Sequence, residues 1–147
     1  MPPCKTKSTP RKLTWLSAAR RKLHRRSPCG LYDEIIDAGV NFFVVALEKL
    51  GATTMYSCEG HPSGFYIMFE APMCVAVKIR KAGYFTVELE GLNLWSIRLP
   101  HVDMEYDRRI ILNGAARSWT RHFGPFYPED VNRGAPLRNV LSGQNRA

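Results

Sequence analysis

A short polar cluster offers the most reactive group of side chains in this sequence of 147 residues. Ser57, Cys58, Glu59, Gly60 and His61 are consecutive, so a thiol, a carboxylate and an imidazole lie close together along the chain. The cluster follows a run of strand-forming residues, and the end of a strand is a rigid support for functional side chains. Gly60 allows the backbone to turn sharply there. This cluster is therefore the first candidate for a functional site.

Several kinds of chemistry fit these residues. In an enzyme, Cys58 would be a thiolate nucleophile beside His61, with Glu59 in support. Cys58 and His61 also have the spacing of two zinc ligands, and a complete site needs two more, for which His101 and Asp103 are the best candidates. The cluster could instead bind a partner by hydrogen bonds. In a purely structural role, Cys58 would pack in the core, Glu59 would cap a turn and His61 would face solvent. We expect no cofactor and a binding protein rather than an enzyme.

The second candidate is a basic N-terminal arm. Residues 1–30 contain nine of the 21 lysines and arginines and none of the 13 acidic residues, so the net charge of +8 belongs to this arm. A basic tail on a nearly neutral body typically binds a polyanion. We expect it to bind nucleic-acid phosphates, with Trp15 stacking on a base; a solubilising tail is the alternative. The basic residues expected to bind are Arg20, Arg21, Lys22, Arg25 and Arg26.

The hydrophobic pattern predicts the elements that position these residues. A thin apolar stripe predicts a short helix in residues 13–26. Apolar residues three or four apart predict a longer helix in 32–50, which Gly51 would end in the left-handed conformation. Alternating patterns predict four strands. Helical spacing predicts two further helices, one between the second and third strands and one after the fourth. The strands are expected at 53–58, 65–69, 84–90 and 94–99, and the helices at 72–82 and 103–123. Ala115 and Trp119 lie on the predicted apolar face of the last helix.

The resulting order, α-β-β-α-β-β-α, predicts an α+β fold. Its simplest form is a four-stranded antiparallel sheet with the helices packed on one face. We expect a partly disordered arm at 1–30, the α+β domain at 31–124 and a mostly irregular tail at 125–147. The other sheet face could present Tyr66, Met68 and Tyr84 as a binding platform.

Several classes of protein are excluded by composition and motifs. No apolar stretch approaches the roughly 18 residues of a membrane span, and no signal peptide is evident. The four cysteines form no Cys-x-x-Cys pair, which is typical of reduced thiols in a cytoplasmic protein. The phosphate-binding loop, the dinucleotide-binding glycine pattern and the Ser-His-Asp signature are all missing.

Residues 50–61 resemble an LG-x-x-T-x-x-SCEGH element of small uncharacterised bacterial and mobile-element proteins. Residues 40–70 are also distantly similar to the wybutosine-synthesis tRNA methyltransferase family around its Ser-Cys-Ser-Gly-Arg element. That likeness would place Ser57, Cys58 and Gly60 at matching positions and implies an RNA-related role without an activity. The first resemblance implies an accessory or counter-defence (inhibitor) protein of a phage or other mobile element.

The sequence thus predicts a small basic protein that binds nucleic acid or a nucleoprotein complex. The alternative is an enzyme or zinc protein centred on Cys58 and His61. The choice between RNA and DNA, the strand order and the oligomeric state stay open at this point.

Overall fold

The computed structural model of the chain describes residues 11–27, 29–58, 64–99 and 105–131, without the side chains of 105–107. Within these ranges, six strands and four α-helices follow one another in the order α-β-β-α-β-β-α-β-β-α, and a 3-10 turn follows the last helix. The helices are α1 (Trp15–Ala18), α2 (Ala38–Lys49), α3 (Met73–Lys81) and α4 (Glu105–Phe123). The strands are β1 (Leu23–Arg26), β2 (Asp33–Ile36), β3 (Thr53–Cys58), β4 (Tyr66–Glu70), β5 (Thr86–Gly91) and β6 (Leu94–Arg98), and the 3-10 turn is Pro128–Asp130.

The predicted α+β fold is confirmed. A four-stranded antiparallel sheet has the order β3-β4-β6-β5, and β1 and β2 form a separate two-stranded sheet. From α2 to α4 the elements follow the predicted order α-β-β-α-β-β-α. Gly51 has a φ of +98°, so the predicted left-handed residue after α2 is also confirmed.

The register of the sheet determines which strand residues enter the core. Ile67 of β4 lies opposite Ile97 of β6, and Phe69 lies opposite Trp95. All four side chains are buried, because alternate residues of a strand point to the same face. The helices pack on this face and complete the core.

An aromatic cluster centred on Phe43 of α2 joins the helices to the sheet. Its ring lies 5.0 Å from that of Trp119 in α4 and 5.2 Å from that of Phe85, centroid to centroid, and the rings meet edge to face. Phe42 and Phe65 lie 5.2 Å and 5.5 Å from Phe43. Such edge-to-face pairs stabilise a core beyond the area that they bury. The predicted apolar face of the last helix is confirmed at Ala115 and Trp119, which are fully buried.

The predicted structure of the N-terminal part is wrong. The expected helix in residues 13–26 is limited to the four residues of α1, and Leu23–Arg26 forms strand β1, paired with Asp33–Ile36. The Asn41 side-chain amide donates to the Ala18 carbonyl oxygen at 3.2 Å, just where α1 ends. Similarly, residues 33–36 are a strand, so the second helix begins at Ala38 rather than at residue 32.

The first described residues belong to the folded body. Leu13, Trp15 and Ala18 are part of the hydrophobic core, and the Leu13 amide donates to the Phe126 carbonyl oxygen at 2.7 Å. Phe126 is itself fully buried. Residues 1–10 and 132–147, on which the rest of the arm and tail expectations fall, lie outside the described residues.

Within the described ranges, no helix is both long and apolar enough to cross a membrane.

Candidate nucleic-acid interface

The structure describes only part of the Ser-Cys-Glu-Gly-His cluster. Cys58 is the last residue of β3 and is half-buried, opposite Tyr66 of β4. Glu59, Gly60 and His61 lie outside the described residues, as do His101 and Asp103. Among the side chains that the structure describes, no group of three His, Cys, Asp or Glu could hold a metal ion. The catalytic and zinc interpretations of Cys58 therefore stay predictions.

The sheet face that carries Cys58 is aromatic but rich in carboxylates. The guanidinium carbon of Arg98 lies 4.3 Å from the centroid of the Tyr66 ring, which lies 5.8 Å from that of Tyr56. Three exposed carboxylates stand on β4 and β5, and partial burial together with Glu90 raises the pKa of the Tyr66 hydroxyl. These carboxylates belong to Glu70, Glu88 and Glu90. Because carboxylates repel phosphates, this face is a poor surface for a nucleic-acid backbone.

The expected platform on this face is smaller than the alternation pattern predicted. Tyr66 and Met68 are half-buried. Tyr84 precedes β5 with a φ of 75° and packs over Gly114 of α4. It therefore faces the helical side of the molecule rather than this surface.

Four of the five basic residues expected to bind phosphates are exposed, and one is not. Arg20, Arg21, Lys22 and Arg26 reach solvent. Arg25 has a side chain only 2% exposed, so the expectation that it binds nucleic acid is wrong. Its guanidinium is instead part of a buried network.

This network joins four elements through Arg25. The Arg25 guanidinium donates to Glu34 Oε2 at 2.7 Å, to Glu48 Oε2 at 2.9 Å and to the Thr54 carbonyl oxygen at 2.7 Å. Glu48 Oε2 also accepts the Thr54 amide at 3.0 Å. Burial raises the pKa of Glu48, while the Thr54 amide and Arg25 oppose that shift. Arg25 therefore ties β1 to β2, α2 and β3.

Trp15 is buried as well, which corrects its predicted role as an exposed stacking platform. Its side chain is 3% exposed, and its indole N–H lies 3.3 Å from the Gly39 carbonyl oxygen. The Arg109 guanidinium carbon lies 5.3 Å from the centroid of the ring. The ring therefore holds α1 against α2 and α4.

A basic stripe on α4 was missed by the sequence analysis. Arg109, Asn113, Arg117 and Arg121 are four residues apart, so they share one side of the helix, about 6 Å apart along its axis. The three arginines are exposed and Asn113 is half-buried. The signal in the sequence is the absence of acidic residues from 108 to 128, which is masked by the apolar core face of the same helix.

The stripe lines a cleft between α4 and the segment before α1. The cleft has a volume of about 350 Å³ and is bordered by Lys12, Arg117 and Arg121. A smaller cleft of about 90 Å³ continues past Trp15 and is bordered by Arg108 and Arg109. The described residues that line these two clefts include no carboxylate.

The fold thus brings two acid-free segments together. Residues 1–32 and 108–128 contain no acidic residue, and α1 packs against α4. On the other side of α1, Arg21 and Lys22 border a third cleft, which shares Leu13 with the largest one. We call this cluster the basic surface and define it as Lys12, Arg21, Lys22, Arg108, Arg109, Arg117 and Arg121.

Comparisons with family models, with curated proteins and with solved structures found no match to this chain. Its function is therefore inferred from the chemistry of the basic surface.

Proposed function

We propose that this protein binds nucleic acid through the basic surface. The observation that supports the proposal is the packing of two acid-free segments against each other, which concentrates seven cationic side chains around α1. Lysine and arginine side chains neutralise phosphates and release condensed counterions, which provides affinity for any nucleic-acid sequence. The opposite sheet face, which bears the carboxylates, would then point away from the nucleic-acid backbone.

The arginines of α4 suit phosphate binding in particular. A guanidinium can donate two parallel hydrogen bonds to one phosphate, whereas a lysine acts as a point charge. Arg117 and Arg121 are one helical turn apart, about 6 Å along the axis, so both can contact one backbone. The rigid helix α4 would fix their relative positions before binding, which lowers the entropy lost on association.

The biological setting belongs to the same proposal. The resemblance of residues 50–61 to mobile-element proteins supports an accessory or counter-defence role, in which the protein would bind a nucleoprotein complex. We propose a cytoplasmic location, where exposed thiols such as those of Cys29 and Cys74 stay reduced.

The test is a charge-removal variant of α4. We expect Arg109→Gln/Arg117→Gln/Arg121→Gln to weaken binding to labelled RNA or DNA and to reduce the slope of log K against log salt by about three. Fluorescence anisotropy over a salt series measures both quantities. A deletion of residues 1–30 is a poor substitute, because it removes Leu13, Trp15 and Ala18 from the core.

The matched control removes the same charge elsewhere. Lys78, Lys81 and Arg98 are exposed on α3 and β6, and none of them borders the basic surface. We expect Lys78→Gln/Lys81→Gln/Arg98→Gln to keep most of the affinity and the slope. Equal losses in the two triple variants would mean that only net charge matters, and the proposal would fail.

A further variant separates this proposal from a site built on Cys58. Because Cys58 lies at the end of β3 and borders none of the described clefts of the basic surface, we expect Cys58→Ser to leave the affinity and the salt slope unchanged. An enzyme or zinc protein centred on Cys58 would lose its function with this substitution. A marked loss of nucleic-acid affinity in Cys58→Ser would contradict binding through the basic surface.

A further inference from the structure

We infer that the largest cleft of the basic surface accepts one unstacked nucleotide of a single strand. This inference rests on the proposed function and deepens it by naming the class of nucleic acid. The volume of about 350 Å³ falls within the range of about 300–1,000 Å³ that is typical of small-molecule sites. Phosphate binding to a flat surface needs no such recess, so a ligand that uses the whole site would have a part that enters the cleft.

The lining of the cleft matches the two halves of a nucleotide. Lys12, Arg117 and Arg121 supply the positive charge that a phosphate requires. Leu13 and Ala116 supply apolar surface against which the face of a base can pack. A free inorganic anion would use only the first of these two parts.

Among the described residues that line the cleft, Asn113 is an uncharged side chain that is available to read a base edge. The Thr120 hydroxyl donates to the Ala116 carbonyl oxygen at 2.9 Å, and the Thr14 hydroxyl caps α1. The Asn113 carboxamide, by contrast, makes no hydrogen bond to any other described residue. Asn113 lines the cleft, and its side chain is half-buried. A carboxamide offers both donors and an acceptor, which suit the hydrogen-bonding edge of a base.

The shape of the site selects single strands. In a duplex the bases are paired and stacked, and a base enters a recess only after it is flipped out, which costs the free energy of its stacking and pairing. An unpaired base enters at much lower cost. A duplex can therefore use the arginines of the basic surface but not the interior of the cleft.

The test fills the cleft without changing its charge. We expect Asn113→Leu to weaken binding of a short labelled single-stranded oligonucleotide by about tenfold or more, because the aliphatic side chain occupies the space of the base and removes the carboxamide, without offering an aromatic face for stacking. Affinity for the corresponding duplex should stay unchanged. The control is Ile110→Phe on the same helix, since Ile110 is 53% exposed and does not border the cleft. Neither affinity should change in this control.

Each remaining outcome overturns the inference. Equal losses for single strand and duplex in Asn113→Leu would show that the cleft is only part of a charged surface. Unchanged single-strand binding would show that no base enters it. Wild-type protein that binds neither oligonucleotide would refute the proposed function itself, which is a distinguishable failure.

A second measurement does not depend on a variant. In a ¹H–¹⁵N NMR titration of the wild-type protein, we expect adenosine 5′-monophosphate to shift the side-chain amide signals of Asn113. Inorganic phosphate at the same concentration should shift them much less, because it lacks a base. Shifts of equal size with the two probes would reduce the cleft to an anion site and would contradict the inference.

Discussion

We expect Arg25→Ala to lower the free energy of unfolding by about 3–5 kcal/mol. The substitution leaves the Glu48 carboxylate, whose side chain is 2% exposed, without its cationic partner. It also removes the hydrogen bonds from Arg25 to Glu34 and to the Thr54 carbonyl oxygen. An uncompensated buried charge is among the most destabilising defects in a folded protein. Urea denaturation followed by circular dichroism gives the measurement.

The neighbouring residue provides the control. Arg26 is exposed, and its Nε lies 3.8 Å from an Asp33 carboxylate oxygen that is also exposed. Because surface ion pairs contribute little, Arg26→Ala should change the free energy of unfolding by no more than about 0.5–1 kcal/mol. Adding Glu48→Gln to Arg25→Ala should recover part of the lost stability, since it removes the unpaired charge. Similar small effects of Arg25→Ala and Arg26→Ala would refute the structural role of the network.

The second large effect is expected at Trp119. Trp119→Ala should lower the free energy of unfolding by about 3–5 kcal/mol, because it leaves a cavity beneath Phe43 and Phe85. Trp119→Phe should cost much less. It keeps an aromatic ring in the cluster, and it removes an indole N–H that is buried without a hydrogen-bond acceptor in the described structure.

The two variants of Trp119 are tested by comparing their free energies of unfolding with that of the wild type. Thermal or urea unfolding of wild type, Trp119→Phe and Trp119→Ala should rank them in that order, with most of the loss in the last step. If Trp119→Phe were as destabilising as Trp119→Ala, the indole N–H would have to make a stabilising hydrogen bond, contrary to the structure. Trp95 differs from Trp119 because its indole N–H has an acceptor: it donates to the Ala71 carbonyl oxygen at 3.0 Å.

The sequence was sufficient for the elements whose hydrophobic pattern extends over several residues. Strands β3 to β6 alternate with period two, and α2 to α4 repeat every three or four residues, so their types were predicted. Strands β1 and β2 have only four residues each, too few for a period to stand out. Their pairing also depends on Arg25, whose acceptors Glu48 and Thr54 lie 23 and 29 residues away in the chain.

The candidate site was harder to predict for a related reason. A sequence shows where charges are but not which of them share a surface. The excess charge of residues 1–30 was evident, while its proximity to Arg109, Arg117 and Arg121 arises only when α1 packs on α4. Burial of Trp15 and Arg25 likewise depends on this packing, so two residues expected to face nucleic acid turned out to stabilise the fold.

The backbone hydrogen bond between Leu13 and Phe126 has a consequence for local opening of the fold. It joins the segment before α1 to the segment after α4, and both side chains belong to the same hydrophobic core. Detachment of either segment therefore breaks this bond and exposes apolar surface of the other. The two segments would thus open as one cooperative unit.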